Sequence, residues 1–555
     1  MGGRDGPVRP FGGGGEVRLP VDGASTSDGP ADPPDEEVGA SADQDPATPA
    51  SNASVRQLSL NVVSSYASFG IGIVLSLVLT RVLLRHLGAS TYGLWIVLLA
   101  LVGYLGLLDI GVGTAAVQRV ARLTAIGDKE GVADLIRTTW VFFAGSGIVA
   151  IVITIGLAPF VSSFLNLGAI SPTEAGATLV VLGVMSSLLF LSVVPNSVLF
   201  GSGRGDRLSQ IGLLVLLLTQ GGQIIAVLAG AGLIALGILQ MAGVAVGLVL
   251  AASLAGRVTG SSIRSGHFNR PLLKELLRFG GLQSIISLGG VVAYQLDALI
   301  IGIILPVAQV APYSVALNTS NFTRSLSTQG SALLLPTYSH FDAVADRKRQ
   351  SRYFMNGVMA CLVLAVPIIV SLAAFGDPIL ELWLGSVPPK TYEIMIALGI
   401  VNVLQLPGNQ CFLFLTGVGR NRQLVGLAVI GAVVNLAGTI GATYWLGPIG
   451  PAIGSLPVVV VLDFTILPIM VCRYIGVPVG QYVREALGPV VPVGLAAGAV
   501  ALALVHLHPA HSGLAAIVAS IATCAAAWAV FGMVLAKLEP ELRAVIWQRI
   551  RRRMP

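Results

Sequence analysis

Long apolar runs separated by short polar breaks constrain this sequence more than any other feature. They begin near Leu58 and continue almost to the end of the 555-residue chain. Most reach the ~20 residues that a helix needs to cross a hydrocarbon core about 30 Å thick. Only 11% of the residues are charged, too few to cover so much apolar surface in water. The sequence therefore predicts an all-α, polytopic integral membrane protein.

We predict about fourteen transmembrane helices. Backbone groups in lipid must be paired within the protein, and no ten-residue alternation indicates a barrel, so each run is expected to be helical. The predicted spans are 60–84, 92–118, 137–159, 176–200, 209–229, 232–256, 281–304, 308–335, 353–375, 393–416, 424–446, 449–471, 487–506 and 513–536.

The distribution of Lys and Arg predicts the orientation. With the N-terminus in the cytoplasm, the loops on that side hold 25 of these residues, and the outer loops hold only Arg85 and Lys390. Cytoplasmic loops of membrane proteins carry such an excess. We therefore predict a multi-pass membrane protein with both termini cytoplasmic. The scarcity of Lys relative to Arg favours a bacterial source, and hence a bacterial cytoplasmic membrane. The net charge of +6 then indicates contact with anionic lipid headgroups and not with nucleic acid.

Residues 1–54 are rich in Gly, Pro, Ala, Ser and Asp and poor in large apolar residues. Such a segment cannot bury enough surface to offset its ordering entropy, so we predict a disordered cytoplasmic tail. The four cysteines lie in or beside apolar runs without a CxxC pair, and the histidines lack acidic or Cys partners. No metal site and no cofactor is expected.

Two short motifs recur at matching places. Gly201-Ser-Gly203-Arg204 follows the fourth predicted span, and Gly417-Val-Gly419-Arg420 follows the tenth. Tyr92 opens the second span and Tyr313 the eighth. The offsets, 216 and 221 residues, agree closely, so the sequence predicts an internal repeat of six helices.

The repeat divides the chain into a first six-helix half, 55–270, and a second, 271–486, in parallel orientation. Residues 487–555 supply two further transmembrane helices and a basic amphipathic C-terminus. At the start of the second half, Asn269 can cap a helix and Pro271 suits its first turn. Leucines share one face of the segment that follows, so we predict a short linker helix on the cytoplasmic surface.

Two loop motifs resemble a known family. They are Leu87-Gly88-Ala-Ser-Thr-Tyr92-Gly93, between the first two spans, and Leu107-Leu108-Asp109-Ile110-Gly111-Val112-Gly113. Both resemble the polysaccharide transporters, Wzx-like oligosaccharide flippases of the multidrug/oligosaccharidyl-lipid/polysaccharide exporter superfamily. The Gly-x-Gly-Arg turns and the two-half plan fit the same family, and the resemblance covers about residues 55–540.

Membership of that family implies a flippase that is not an enzyme. Its substrate would be an undecaprenyl-diphosphate-linked oligosaccharide, moved from the cytoplasmic to the outer leaflet by alternating access. The product would enter capsule, exopolysaccharide or O-antigen biosynthesis. The implied partners are the polyprenyl-diphosphate-linked glycan, membrane lipids and polysaccharide polymerase machinery, and no nucleic acid.

Five charged residues lie inside the predicted spans and away from their first and last residues: Arg81, Asp109, Asp297, Arg324 and Asp463. A charge in lipid costs at least ~2.5–3.5 kcal/mol, so each is expected to face protein or a watery cavity. Arg324 is the first candidate for contact with a diphosphate, because a guanidinium binds phosphate oxygens in pairs. Arg81 and Asp297 are further cavity candidates. The alternatives are an Arg324–Asp297 ion pair and an Arg81 anchor at the outer interface.

Asp109 and Asp463 are candidates for gating or coupling. Asp109 could instead pair with Arg119 or Arg122, or bond to a neighbouring helix end. Asp463 has no evident partner in the sequence and is a candidate proton or cation site. Several glutamines could line a cavity for sugar hydroxyls, or else bond helix to helix. These are Gln210, Gln220, Gln223, Gln240, Gln283, Gln295 and Gln405.

Specific sequence features distinguish three alternative functions. A lipid II flippase should aim more arginines into its cavity from the early helices, where only Arg81 is available. A cation-coupled multidrug exporter of the same superfamily typically has an acid in the first helix, and residues 60–84 contain none. A membrane glycosyltransferase or ligase needs a large outer loop, whereas the longest here, 160–175 and 376–392, are short.

Overall fold

Helices make up all the regular structure that the computed structural model describes, over residues 52–259, 266–329, 331, 334–507 and 513–538. Those before residue 270 are α1 (Asn52–Leu105), α2 (Val112–Ala125), α3 (Lys129–Leu157), α4 (Val161–Phe164), α5 (Pro172–Gly201), α6 (Gly205–Leu228) and α7 (Leu233–Thr259). The others are α8 (Arg270–Ile304), α9 (Val310–Thr328), α10 (Leu334–Ala343), α11 (Arg347–Leu384), α12 (Thr391–Gly417), α13 (Asn421–Leu446), α14 (Gly450–Val458), α15 (Leu467–Ile475), α16 (Val479–Tyr482), α17 (Val490–Leu507) and α18 (Gly513–Leu538). The described residues contain no β-strand, which confirms the all-α prediction.

Ten helical segments within the described ranges are long and apolar enough to cross a membrane. Two of these, Gly70–Asp109 and Gln423–Ile475, contain 40 and 53 residues, enough for two crossings each. The predicted seventh and eighth spans correspond to α8 and α9, which are not among the ten. The multi-pass membrane protein is confirmed, and the number fourteen stays a prediction.

The described residues from Leu60 onward form one compact unit. The predicted tail, up to residue 51, and the predicted basic C-terminus, from 539, lie outside the described residues. Helix α1 begins at Asn52, inside the segment predicted as tail.

The second predicted span, 92–118, is wrong as one helix. Helix α1 runs through the first predicted span and into the second, and it bends at Gly88 (φ 78°), a conformation that glycine adopts without strain. It ends at Leu105, and α2 starts only after Ile110 and Gly111, which both have positive φ. A Cβ on Gly111 would lie 2.4 Å from the carbonyl oxygen of Gly280 on α8. The break therefore brings two backbones together where side chains would collide.

The linker segment and the eighth span also differ from expectation. Asn269 caps α8 by accepting a hydrogen bond from the Leu272 N–H at 3.0 Å, as predicted. The helix then continues to Ile304 without a break, so no separate surface helix is seen, and Leu272 and Leu276 are buried in the protein core. The eighth predicted span, 308–335, ends early, because α9 stops at Thr328 and α10 begins at Leu334.

The two Gly-x-Gly-Arg turns have the same geometry. Gly203 and Gly419 both have φ 74°. The backbone N–H of Arg204 donates to Leu199 O, and that of Arg420 to Leu415 O, each at 2.8 Å. This is the six-residue closure of a Schellman helix end. The structural match supports the repeat, and the two six-helix halves stay a prediction.

The largest apolar core joins α1 to α9, α11 and α12. Tyr92 and Tyr313, the residues that open the second and eighth predicted spans, are both buried in it. Close backbone approach is possible because Gly93 has no side chain, and a Cβ there would lie 2.0 Å from Val307 O. The cavity described next lies beside this core, because Leu83, Tyr92 and Trp95 belong to both.

Candidate functional site

A cavity of about 370 Å³ lies among α1, α6, α7 and α9. Its volume is within the roughly 300–1,000 Å³ of small-molecule sites. One side is apolar, from leucines, isoleucine, valines and Trp95. The polar lining consists of Ser76, Thr80, Tyr92, Thr219, Gln220, Gln223, Gln240 and Asn318. We refer to this space as the polar cavity.

Two side-chain oxygens in the polar cavity have no hydrogen-bond partner among the described residues. They are Thr219 Oγ1 and Gln220 Oε1, both buried. The Thr219 hydroxyl occupies space that Gly243 leaves open, since a Cβ there would lie 1.9 Å from Oγ1. Buried polar groups are normally hydrogen-bonded, so these two oxygens leave hydrogen-bonding capacity unused beside the cavity.

Three of the seven glutamines noted in the sequence line the polar cavity, and two of these also bond helix to helix. Gln223 Nε2 donates to Gln240 Oε1 at 3.0 Å and to Leu236 O at 3.2 Å, which ties α6 to α7. The same two side chains also line the polar cavity, with Gln220. Interhelical bonding therefore positions amide groups at the cavity wall.

Arg324 is not part of the polar cavity lining. It is half-buried on α9, six residues beyond the cavity residue Asn318, which places it about 9 Å further along and about 120° around the helix. It shares a face with Ser320, whose hydroxyl donates to Met395 O of α12 at 3.4 Å. Arg324 has a polar or electrostatic partner in the protein. Its role in substrate contact stays a prediction.

Asp297 is held by a tyrosine. The Tyr313 hydroxyl donates to Asp297 Oδ2, joining the end of α8 to the start of α9. Tyr313 is buried, and Asp297 is partly exposed. The structure therefore gives Asp297 a structural contact beside the core between α1 and α9.

Asp109 bonds to a helix end, one of the alternatives left open by the sequence. Its Oδ1 accepts from the Gly113 N–H at 2.8 Å, so it satisfies a free donor in the first turn of α2. Arg119 pairs instead with Glu275 of α8 at 3.2 Å. Asp109 thus stabilises the break that follows α1.

Asp463 lies in a π-helical stretch, Val459–Ile466, between α14 and α15. Such stretches are rare and are frequent at functional sites. Its side chain packs on Gly408 of α12, where a Cβ would lie 2.5 Å from Asp463 Oδ1. The preceding Pro407 lies inside the same helix. The coupling role of Asp463 stays a prediction.

Arg81 bonds to the end of a distant helix. Its Nη1 donates to Leu382 O of α11 at 3.1 Å. In the other direction, Trp383 Nε1 donates to Leu77 O of α1 at 2.9 Å. These two bonds, which we call the α1–α11 contact, lie at the predicted outer end of the bundle. Arg81 is not part of the polar cavity lining.

The sequence matches the polysaccharide biosynthesis protein family over residues 82–387, more than half of the chain. The chain belongs to this family. It is also 22% identical, over 71% of its length and 78% of the relative's, to the probable low-salt glycan biosynthesis flippase Agl15 of Haloferax volcanii.

Solved structures place this family member in a known fold. The lipid II flippase MurJ, in an inward closed conformation, matches with a TM-score of 0.67 at 15% identity, over 86% of this chain and 99% of that one. A MATE family multidrug transporter of the MOP superfamily, in an inward-facing conformation, matches with a TM-score of 0.61 at 18% identity, over 75% and 99%. At these identities the likeness establishes the fold.

Sequence reasoning for this polysaccharide biosynthesis protein missed most of the polar residues that line the cavity. Ser76, Thr80, Thr219 and Asn318 were not selected, because single hydroxyl and amide side chains in apolar spans are common. A usable signal was present in the helical spacing, since Ser76 and Thr80, four residues apart, lie on one helix face. Thr219 and Gln223 have the same spacing.

Proposed function

We propose that this protein is a flippase that moves an undecaprenyl-diphosphate-linked oligosaccharide from the cytoplasmic to the outer leaflet of a bacterial cytoplasmic membrane. It performs no covalent chemistry. The exported glycan serves the synthesis of capsule, exopolysaccharide or O-antigen, with polysaccharide polymerase machinery as a partner. Family membership and the similarity to the Haloferax glycan biosynthesis flippase support this proposal.

The observation that carries the proposal is the polar cavity among membrane-spanning helices. The hydroxyl and amide side chains of its lining offer donors and acceptors to sugar hydroxyls. Polar groups at this depth are costly unless they are bonded or face a cavity, so a hydroxyl-rich cargo gives them a use. The diphosphate requires a cation, and Arg324, deeper along α9, is our candidate.

Transport proceeds by alternating access between the two six-helix halves, around the polar cavity. The α1–α11 contact and the buried core between α1 and α9 support a state closed at the outer end. For the cargo to leave, these contacts must separate. Asp109 at the α1–α2 break and Asp463 in the π-helical stretch are the proposed gating and coupling residues.

The Trp383→Phe substitution is expected to favour opening at the outer end. It removes the bond to Leu77 O, and a bond of this kind contributes about 1 kcal/mol, or roughly a fivefold change in the closed-to-open ratio. To measure this, Trp383→Phe is combined with a reporter cysteine in the cavity, Ser76→Cys, in a protein that also carries Cys524→Ser. The rate at which an impermeant thiol reagent added outside labels this protein is compared with the rate for the same protein with Trp383 intact. A rise of about fivefold is expected.

Trp528→Phe is the matched control, because Trp528 Nε1 donates to Val363 O of α11 at 3.1 Å, away from the α1–α11 contact. Its labelling rate should equal that of the parent. An unchanged rate in Trp383→Phe, or the same rise in both variants, would show that the Trp383 bond does not hold the outer end closed.

The proposed function is tested by mass spectrometry of undecaprenyl-linked lipids in a deletion strain and its complemented parent. Accumulation of one oligosaccharide-diphosphate lipid, with loss of the surface glycan, is expected and identifies the cargo. Accumulation of lipid II would instead establish a peptidoglycan precursor flippase. If no lipid-linked intermediate changes, the flippase proposal fails, and drug accumulation assays would test the multidrug exporter.

A further inference from the structure

A second cavity, of about 510 Å³, lies far along the chain from the polar cavity residues of α1, α6 and α7. Helices α11 and α13 contribute their first turns, and α15 its last. The lining residues are Arg347, Arg420, Gln423, Met470, Arg473 and Tyr474. We refer to it as the arginine pocket.

An aromatic ring organises the arginine pocket. The guanidinium carbons of Arg347 and Arg420 each lie 4.4 Å from the centre of the Tyr474 ring. Because each lies 4.4 Å from the same point, the two guanidinium carbons are at most twice that distance, 8.8 Å, apart. Stacking on a ring holds a guanidinium plane in place while leaving its N–H groups free at the edges. The pocket thus holds two guanidinium groups in position before any ligand binds.

One carboxylate compensates part of this charge. Asp342 pairs with Arg347 at 2.7 Å and accepts the Tyr474 hydroxyl at 2.6 Å. Partial burial raises the pKa of Asp342, but the hydrogen bonds from Tyr474, Gln350 and Arg347 outweigh it and hold that pKa below its usual value. Asp342 therefore stays ionised and fixes Arg347 and Tyr474 in place.

The other two cations are not compensated. Within the described part of the chain, neither Arg420 nor Arg473 has a carboxylate oxygen within 4.0 Å. Both side chains are exposed and line the same pocket. Three elements thus converge on a pocket with a net charge of +2. Like charges repel, so such a convergence is most stable when an anion occupies it.

An ordinary basic turn does not have this arrangement. Arg204 follows the first Gly-x-Gly turn, as Arg420 follows the second, and the two turns have the same backbone geometry. Arg204 is exposed, and no aromatic ring is found beneath its guanidinium among the described residues. A basic residue that only sets membrane orientation needs no stacked partner. The comparison therefore separates the arginine pocket from the general basic character of these loops.

We propose that the arginine pocket binds a phosphate anion, through Arg420 and Arg473 with Arg347 at its edge. Guanidinium groups bind phosphate oxygens in pairs by charge-assisted hydrogen bonds. The phosphate has two sources of the same chemistry, an anionic phospholipid headgroup or a soluble phosphate compound. The site is distinct from the polar cavity, so the proposal does not depend on the identity of the transport cargo.

The test measures binding to the full-length protein purified in a non-ionic detergent. In one arm, inorganic pyrophosphate is titrated at constant ionic strength and binding is followed by calorimetry. In the other arm, retention of phosphatidylglycerol relative to phosphatidylcholine is measured by native mass spectrometry. The variants are Arg420→Ala, Arg473→Ala and the matched control Arg204→Ala, each checked for a monodisperse elution profile. Arg420→Lys keeps the charge and replaces any variant that does not fold.

We expect Arg420→Ala and Arg473→Ala each to weaken binding at least about tenfold in one arm, and Arg204→Ala to leave it unchanged. Loss in the pyrophosphate arm identifies a soluble phosphate ligand, and loss in the phosphatidylglycerol arm identifies a lipid headgroup. Arg420→Lys should retain intermediate affinity, because the ammonium cannot bind two oxygens as a fork. The proposal is overturned if neither probe binds, or if Arg204→Ala weakens binding as much as the pocket variants.

Discussion

Gly212→Phe is expected to reduce glycan export at least about tenfold, the equivalent of about 1.4 kcal/mol, while the protein stays folded in the membrane. Gly212 lies on α6 and lines the polar cavity. A Cβ at this position meets no atom within 4 Å, so a larger side chain enters open space and does not strain the backbone. The phenyl ring would then occupy the volume that the cargo needs.

Gly221→Phe is the matched control for this experiment. Gly221 lies on the same helix, and its added Cβ also meets nothing within 4 Å. It is nine residues from Gly212, two and a half helical turns, and so lies on the opposite face of α6, away from the cavity lining. Both variants carry the same change in helix propensity and apolar area, and they differ only in the face that they fill.

The measurement compares surface glycan in a deletion strain complemented with each variant, normalised to protein in the membrane fraction. Gly221→Phe should export at the parental level. If Gly212→Phe also exports at that level, the polar cavity does not hold the cargo. If both variants lose export and remain in the membrane, the effect comes from α6 itself and not from the cavity.

The sequence predicted the helical class because the apolar runs have the length that lipid requires. It failed at the helix break near Ile110, where apolar residues continue through the break, and at the break after Thr328. The cause at Ile110 is tertiary: the Gly111 backbone contacts Gly280, 169 residues later in the chain. Such a contact leaves no periodic signal, so the second span was predicted as one continuous helix.

The candidate site was predicted less completely, for a related reason. Charge inside a span is a strong signal, so Arg81, Asp109 and Asp297 were selected, yet the structure gives each a hydrogen bond to protein. The cavity wall is built instead from neutral groups such as Thr219 and Asn318. Their role depends on four helices from different parts of the sequence meeting at one place, which no local pattern encodes. Of the seven glutamines for which the sequence left cavity lining and interhelical bonding open, Gln220, Gln223 and Gln240 line the cavity.

Arg324→Ala is expected to lower export roughly 10- to 100-fold, because a hydrogen bond to a charged group contributes about 1.5–3 kcal/mol. Arg324 lies about 21 Å from the first residue of α9, at Val310, deep in the predicted span. A diphosphate that leaves water needs a cation at such a depth, and few are present in the spans. Arg324→Lys should retain partial export, since it keeps the charge and loses the paired geometry.

The competing explanation is a structural role for Arg324 on the face that it shares with Ser320. Ser320→Ala provides the control, because it removes a hydroxyl that donates to Met395 O on that face and leaves every charge in place. If Arg324 contacts the cargo, both Arg324 variants should reach parental levels in the membrane. Export should be reduced in Arg324→Lys and reduced further in Arg324→Ala, whereas Ser320→Ala should export at the parental level. A structural contact predicts loss of Arg324→Ala protein from the membrane in proportion to its loss of export. Parental export by a well-expressed Arg324→Ala variant would remove Arg324 from the transport path, and the search for the diphosphate-binding cation would then turn to the other arginines.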